Sequence, residues 1–220
     1  MFEKGVFAGY EYENHLDFVL EGGSIESDEQ GTILTTARCL LEKNRSGLSK
    51  TEIERKFNEF FGTKRVLWLH HGYLQGDDTD SHIDTLARFC NENTIAYIKC
   101  DDKNDVHYAE LTAMEKELHE FKTNDGKPYN LIPLPMTDEI IFDGEKLPAT
   151  YANFLIINGA VLFPTYNSAK DAIAQKYLQK AFPDRKIEGI NCLPLIKQHG
   201  SLHCVTMQFP EIFFKNKFLF

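Results

Sequence analysis

The feature that most constrains the fold is a pattern of apolar segments and helices that occurs three times along the chain. In each occurrence two short apolar stretches precede an amphipathic helix, and a third apolar stretch follows it. The spacing of apolar residues predicts these helices at 49–61, at 104–122 and from about 168 to 181. A repeated unit usually buries its apolar face against neighbouring copies, so the pattern favours a repeat architecture.

Short apolar stretches predict the strands that flank the helices. The first helix begins at a capping box formed by Ser49 and Glu52, and Asn158-Gly159 is typical of a hairpin turn. We therefore expect an α/β fold of about three strand–strand–helix–strand units plus one orphan strand. The alternative is an α+β domain whose apparent repeat is chance. The predicted strands cover 16–20, 31–36, 65–69, 82–89, 94–99, 130–134, 154–157, 160–163, 186–190 and, as the orphan, 202–208.

Charge and cysteine content narrow the classes of function. With 24 Lys+Arg against 33 Asp+Glu the net charge is −9, which disfavours a nucleic-acid or anionic-membrane partner and suits a small cationic substrate. No apolar run approaches the roughly 20 residues that span a bilayer. Five cysteines without a Cys-x-x-Cys pair indicate neither a disulfide framework nor a zinc ribbon. We expect a reduced, cytoplasmic protein.

The first polar cluster with chemical potential is Glu21-Gly22-Gly23. Two glycines after a carboxylate allow the backbone to approach a ligand closely while the acid points at it. A tight turn beside a solvated Glu is the alternative interpretation.

The second cluster covers 76–84 and contains His82 and Asp84. Residues two apart on an extended strand face the same side, so we expect these two side chains on one face. A His beside carboxylates can act as general acid and base. A divalent metal site is a rival hypothesis, but the acids lack the calcium-loop pattern and no second His follows at metal-ligand spacing. A third interpretation is an acidic turn without a chemical role.

The third cluster covers 200–208 and contains Cys204. A lone cysteine is most often a small buried hydrophobic residue, and it becomes a candidate nucleophile only beside a cation such as His82. In a fourth cluster, the adjacent His70 and His71 would face opposite ways on a strand. We therefore interpret them as loop residues or neighbours of the site, not as ligands of a shared metal.

Taken together, the chain resembles the agmatine deiminase branch of the guanidino-modifying enzymes, relatives of bacterial peptidylarginine deiminases. Four stretches carry the resemblance, in the family's order: 20–26, 76–84, 147–154 and 199–208. The resemblance implies a propeller-like α/β barrel of the pentein type, in which five strand–strand–helix–strand units surround a central active site. About three of these units and one strand would lie in this chain.

The resemblance also implies roles for four residues. Cys204 matches the family's nucleophile, and His82 matches its general acid/base. Asp84 matches a carboxylate that grips the guanidinium, and Glu21 matches the acid that pairs with His or substrate. Bidentate carboxylates orient a planar guanidinium, so its central carbon can be presented to a thiolate.

The implied reaction converts agmatine to N-carbamoylputrescine and ammonia through a covalent amidino-cysteine. We expect Asp80 and Gly200 to contribute to substrate binding. No metal and no organic cofactor is expected. The alternatives are a peptidylarginine or free-arginine deiminase, and a truncated homologue without catalytic activity.

The chain departs from the family's pattern in three places. An upstream segment with a Trp and an Arg-Asp pair is not found, since the only Trp is Trp68. Asp28-Glu29-Gln30-Gly31 replaces the usual Asp-Gly-x-Gly, and the tail at 209–220 is rich in Phe. We expect a single domain over 1–220 that is incomplete at its N-terminus. Open sheet edges would then favour an oligomer or another association.

Overall fold

The computed structural model describes residues 13–45 and 47–209, and its main elements are three three-stranded sheets with helices between their strands. The first sheet contains β1, β2 and β3, the second β4, β5 and β6, and the third β9, β10 and β11. The strands of these sheets are β1 (Ile25–Ser27), β2 (Thr32–Thr36), β3 (Arg65–Leu69), β4 (Ala87–Asn91), β5 (Thr94–Lys99), β6 (Asn130–Pro135), β9 (Leu155–Ile157), β10 (Ala160–Thr165) and β11 (Lys186–Asn191).

Apart from three 3₁₀ turns, five α-helices and a small hairpin complete the described elements. The hairpin strands precede the third sheet, and two of the helices are single turns. The remaining elements are α1 (Ala37–Leu40), α2 (Lys50–Phe61), α3 (Tyr108–Glu120), β7 (Ile141–Phe142), β8 (Glu145–Lys146), α4 (Lys170–Ala181) and α5 (Leu193–Ile196).

The three sheets have the same internal order. The middle strand of each is antiparallel to the strand before it and parallel to the strand after the helix. The long helices α2, α3 and α4 each connect a middle strand to its parallel partner, which requires a crossover of this length. The predicted α/β class is confirmed.

Helix α2 shows why these residues form a helix here. Ser49 Oγ accepts from the backbone N of Glu52, and Glu52 Oε2 accepts from the backbone N of Ser49 at 2.8 Å, so the predicted capping box is confirmed. The helix ends at Gly62, whose φ of +65° suits glycine. Ile53 and Phe57 are buried against the first sheet.

The buried apolar residues form two clusters. The larger one contains residues of all three sheets and of α3 and α4, and the smaller one lies between α2 and the first sheet. The smaller cluster consists of Phe18, Ile33, Cys39, Leu40, Ile53, Phe57 and Trp68.

The predicted strands at 16–20 and 202–208 are wrong, and the one at 82–89 is confirmed only from Ala87, where β4 begins. Hydrogen bonding explains the departures at 82–86 and at 202–208. Residues 16–20 form a turn without strand pairing, in which Phe18 is buried and Leu16 is exposed. Ile83–Thr85 is a 3₁₀ turn, closed by a bond from Thr85 Oγ1 to the His82 carbonyl, before β4 begins. His203–Val205 is also a 3₁₀ turn, because the side chain of Asn153 binds the backbone N of His203 in place of a strand ladder.

The Phe-rich tail lies outside the described residues except for Phe209. Among the helices of the described ranges, none has the length and apolar character needed to cross a bilayer.

Candidate functional site

Asp84 is the most deeply buried acid of the predicted site. It lies in the 3₁₀ turn after His82 and is 1% exposed. Its Oδ2 accepts from His203 Nδ1 at 2.8 Å and from Asn153 Nδ2 at 3.0 Å. Its Oδ1 is buried and has no hydrogen-bond partner among the described residues. Because buried polar atoms are normally paired, Oδ1 is available to accept a hydrogen bond from a ligand.

Asn153 connects Asp84 to the cysteine. Its Oδ1 accepts from the backbone N of His203 at 2.8 Å and lies 3.6 Å from the Cys204 Sγ. Asn153 is itself completely buried. Asn153 was not among the predicted site residues, although it lies in one of the four stretches that carry the family resemblance.

Cys204 lies in the 3₁₀ turn His203–Val205 and is solvent-exposed as a residue. Partial enclosure of the thiol raises the pKa of Cys204, and the negative charge of Asp84 raises it further. A cation bound against Asp84 would cancel the second effect. Gly200 packs against the nucleophile candidate, since a Cβ added there would lie 3.3 Å from the Cys204 Cβ.

Both ring nitrogens of His82 have a close neighbour in the site. Its Nε2 lies 3.0 Å from Glu21 Oε2, which assigns the proton to Nε2 because a carboxylate only accepts. Its Nδ1 faces Gly23, where an added Cβ would lie 2.6 Å from Nδ1 and 2.9 Å from Asp84 Oδ2. Gly23 therefore allows His82 and Asp84 to approach one stretch of backbone, whereas a Cβ added at Gly22 would meet nothing within 4 Å. The close approach of this backbone to a ligand stays a prediction.

A buried arginine, which was not predicted from the sequence, binds the acids around His82. Arg45 donates from Nε to Glu21 Oε2 at 2.7 Å and from Nη1 to Asp80 Oδ2 at 2.8 Å. Burial alone would raise the pKa of Glu21, but hydrogen bonds from Arg45 and His82 outweigh it and hold that pKa below its usual value. Glu21 therefore stays ionised beside His82.

The structure thus brings four predicted residues together: Glu21 against His82, and Asp84, through Asn153, against Cys204. Asp80 is paired with an internal guanidinium, and its substrate-binding role stays a prediction. His70 and His71 lie in a loop, as predicted, and their backbone N atoms bind Glu117 of α3.

A second buried arginine holds the segment that carries Asn153. Arg88 of β4 binds Glu26 of β1 at 2.5 Å and the carbonyl of Phe154 at 2.5 Å. These contacts connect the first two sheets to the start of the third. Burial raises the pKa of Glu26 despite the opposing charge of Arg88.

One group of side chains has the composition of a metal site. Donor atoms of Glu21, Cys39 and His82 lie within 4.8 Å of one another. Two observations disfavour a cation there: Arg45 already donates to Glu21 Oε2, and burial raises the pKa of Cys39 to about 12, so its thiol stays protonated. These residues do not fit a metal ion.

The sequence profile of the Porphyromonas-type peptidyl-arginine deiminase family matches residues 2–210. A curated protein of Marinomonas sp. (strain MWYL1) named "Putative agmatine deiminase" is 35% identical over 219 residues, which cover 91% of this chain and 59% of that protein. A solved "Putative Arginine Deiminase" from Porphyromonas gingivalis is 59% identical with a TM-score of 0.87, over 89% of this chain and 58% of that one.

A substrate-bound agmatine deiminase structure from C. jejuni is 43% identical with a TM-score of 0.83, over 92% of this chain and 60% of that one. The chain thus spans about three fifths of the length of these relatives. The profile match extends over nearly the whole chain and includes every residue of the site described above. The chain belongs to the Porphyromonas-type peptidyl-arginine deiminase family.

Proposed function

We propose that this chain carries the cysteine side of a guanidino hydrolase that converts agmatine to N-carbamoylputrescine and ammonia. The observation that carries the proposal is the buried, unpartnered Oδ1 of Asp84, joined through Asn153 to Cys204. A buried carboxylate oxygen without a partner suits a charged N–H donor, and a guanidinium supplies several in one plane. The agmatine deiminases among its relatives support agmatine as the substrate.

The proposed reaction begins when a guanidinium binds Asp84 and neutralises its charge. This lowers the pKa of Cys204, whose thiol proton passes to His82, and the resulting thiolate attacks the guanidinium carbon to form a C–S bond. The C–N bond to one terminal nitrogen breaks as His82 supplies a proton, so ammonia leaves and an amidino-thioether remains.

Hydrolysis of the intermediate completes the proposed cycle. His82, held by Glu21, takes a proton from water as the water attacks the amidino carbon. The C–S bond then breaks, which releases the ureido product and returns Cys204 as the thiolate. His82 keeps that proton and the second proton of the water goes to solvent, so the thiolate and the protonated His82 are ready for the next attack. None of these steps requires a metal or an organic cofactor.

We also propose that the chain forms a single domain with a propeller-like arrangement of the pentein type. Three sheets with one shared strand order support it, since repeated units of this kind pack around a common centre. Five free cysteines support the reducing, cytoplasmic location expected from the sequence. Association with another chain through open sheet edges also remains part of the proposal.

Two alternatives come from the same family. One is a deiminase of free or peptidyl arginine, which the names of the family and of the P. gingivalis protein favour. The other is a homologue that keeps the site but does not turn over a substrate. The first alternative differs from the proposed enzyme in the part of the substrate that lies away from the guanidinium. The second differs in having no catalytic activity.

A ureido-product assay with agmatine, arginine and an arginine peptide separates these alternatives. The Cys204→Ala variant is the blank, and the C. jejuni agmatine deiminase is the positive control. We expect product from agmatine above the blank. If only arginine or the peptide gave product, that compound and not agmatine would be the substrate. If none of the three gave product, an enzymatic function for this chain would be contradicted.

A further inference from the structure

Arg45 is buried although both acids that it binds are partly exposed. Its side chain is 6% exposed, against 45% for Glu21 and 38% for Asp80. Besides these acids it binds two backbone carbonyls, that of Cys39 from Nη1 at 3.1 Å and that of Thr79 from Nη2 at 2.8 Å. A fifth, longer bond runs from Nη1 to Asn44 Oδ1 at 3.5 Å. The planar guanidinium holds these partners in one geometry, which a flexible ammonium does not.

The partners of Arg45 come from three separate segments of the chain. Cys39 belongs to α1, Glu21 precedes the 3₁₀ turn Gly22–Ser24, and Thr79 and Asp80 lie in the loop that leads into His82. Arg45 therefore binds both the acid that orients His82 and the loop that carries it.

That loop has backbone strain next to His82. Asp80 and Ser81 have φ values of +61° and +67°, a region that residues other than glycine rarely adopt. Such conformations persist only where surrounding contacts hold them. Here Arg45 binds Asp80, Asp77 Oδ2 accepts from the backbone N of Ser81 at 2.7 Å, and Thr36 Oγ1 donates to the Ser81 carbonyl at 2.7 Å.

We propose that Arg45 is a positioning residue, which holds Glu21 and the 79–82 loop so that His82 is oriented for proton transfer. The inference rests on the proposed function. It divides the acids of the site into two groups: Asp84 binds the substrate cation through Oδ1, whereas Glu21 and Asp80 are occupied by Arg45 and act on His82.

The electrostatics of Glu21 agree with this division. The groups that face it are Arg45, His82 and the thiol of Cys39. The hydrogen bonds from Arg45 and His82 both lower the pKa of Glu21. Loss of the Arg45 cation should therefore raise that pKa and move the acid side of the activity profile to higher pH.

The test compares Arg45→Gln, Arg45→Lys and Asp80→Asn with the matched control Arg55→Gln, whose side chain is 67% exposed. We expect Arg45→Gln to lower kcat for agmatine by about tenfold to a hundredfold, because small misplacements of a catalytic group are costly. KM should change by less than about twofold, since the substrate cation is bound elsewhere. Asp80→Asn should act in the same direction more weakly, and the control should match the wild type.

A titration of the Glu21 carboxyl carbon by NMR tests the inference without turnover. We expect its midpoint to rise in Arg45→Gln and to stay near the wild-type value in Arg55→Gln. If Arg45→Gln does not fold, Arg45→Lys takes its place. Because Lys keeps the charge, we expect kcat to fall and the midpoint of the Glu21 titration to rise less than in Arg45→Gln.

The outcomes separate this inference from the proposed function. A KM rise of about tenfold or more with kcat retained would overturn the inference, because it would place Arg45 and Asp80 in substrate binding. Unchanged kcat together with an unchanged Glu21 midpoint would also overturn it. Absence of turnover in the wild type would contradict the proposed function alone, since the Glu21 titration would still decide the contact with Arg45.

Discussion

The Nδ1 atom of His203 lies 2.8 Å from Oδ2 of Asp84, so the residue beside the candidate nucleophile binds the acid expected to hold the substrate. Asn153 donates to the same oxygen at 3.0 Å. The two contacts occupy Oδ2 and leave only Oδ1 for a ligand. We therefore expect Asp84 to bind a guanidinium through one oxygen, not through the bidentate contact predicted from the sequence.

Asp84→Asn should lower kcat/KM for agmatine by roughly tenfold to a hundredfold, through a higher KM and a lower kcat. The reason is the loss of a charged hydrogen bond, worth about 1.5–3 kcal/mol. Steady-state kinetics measure the effect, with Asp184→Asn, a change at an exposed acid, as the control. A wild-type profile in Asp84→Asn would remove Asp84 from the substrate site.

The same variant should make Cys204 more reactive towards a small alkylating agent. Asp84 raises the pKa of Cys204, so its neutralisation should increase the thiolate fraction at pH 7. We expect iodoacetamide to modify Cys204 about two to ten times faster in Asp84→Asn, because a lower pKa leaves more of the thiol ionised. Peptide mass spectrometry at several times measures the rate. An unchanged rate, with Asp184→Asn as reference, would mean that the charge of Asp84 does not act on the thiol.

Cys204→Ala should abolish ureido-product formation, because the variant lacks the thiol that is proposed to form the covalent intermediate. The variant should fold like the wild type, since Cys204 is exposed and its removal leaves no buried cavity. The thermal unfolding temperature provides that check. Retention of the full rate by a folded variant would contradict the covalent mechanism.

Arg88→Met should reduce the free energy of unfolding by roughly 3–5 kcal/mol, because it leaves Glu26 buried without its counter-charge. Urea unfolding measures the change. Arg55→Met, at a side chain that is 67% exposed, should lose less than about 1 kcal/mol. Because the double variant Arg88→Met/Glu26→Gln removes both charges, it should recover part of the loss. If the double variant lost more free energy of unfolding than the two single variants together, this account of the pair would be contradicted.

Asp105 should contribute to stability in a pH-dependent way. Burial would raise its pKa, but bonds from the His107 backbone and ring outweigh this and hold the pKa below its usual value of 3.8. An acid with a lowered folded-state pKa stabilises the fold above its unfolded pKa and loses that contribution as pH falls through the folded value.

We therefore expect the unfolding temperature to fall more steeply between about pH 5 and pH 3 in the wild type than in Asp105→Asn. Differential scanning calorimetry at both pH values measures the difference. Asp184→Asn should behave like the wild type. Equal acid sensitivity in Asp105→Asn would show that the contact with His107 does not depend on the charge of Asp105.

The sequence by itself determined the elements whose signals are local. The capping box of Ser49 and Glu52 marks the start of α2, and the Asn158-Gly159 turn marks the hairpin of the third sheet, because caps and turns depend on residues a few positions apart. The likeness of four short stretches to one family also identified Glu21, His82, Asp84 and Cys204 as a set.

Only the tertiary structure decided how these side chains are held. The bond between His203 and Asp84 joins residues 119 positions apart, and Arg45 reaches acids 24 and 35 positions away. Such contacts leave no periodic signal in a sequence. They also explain the wrong strand at 202–208, where the side chain of Asn153, about 50 residues upstream, takes the backbone N that a strand would have offered to its neighbour.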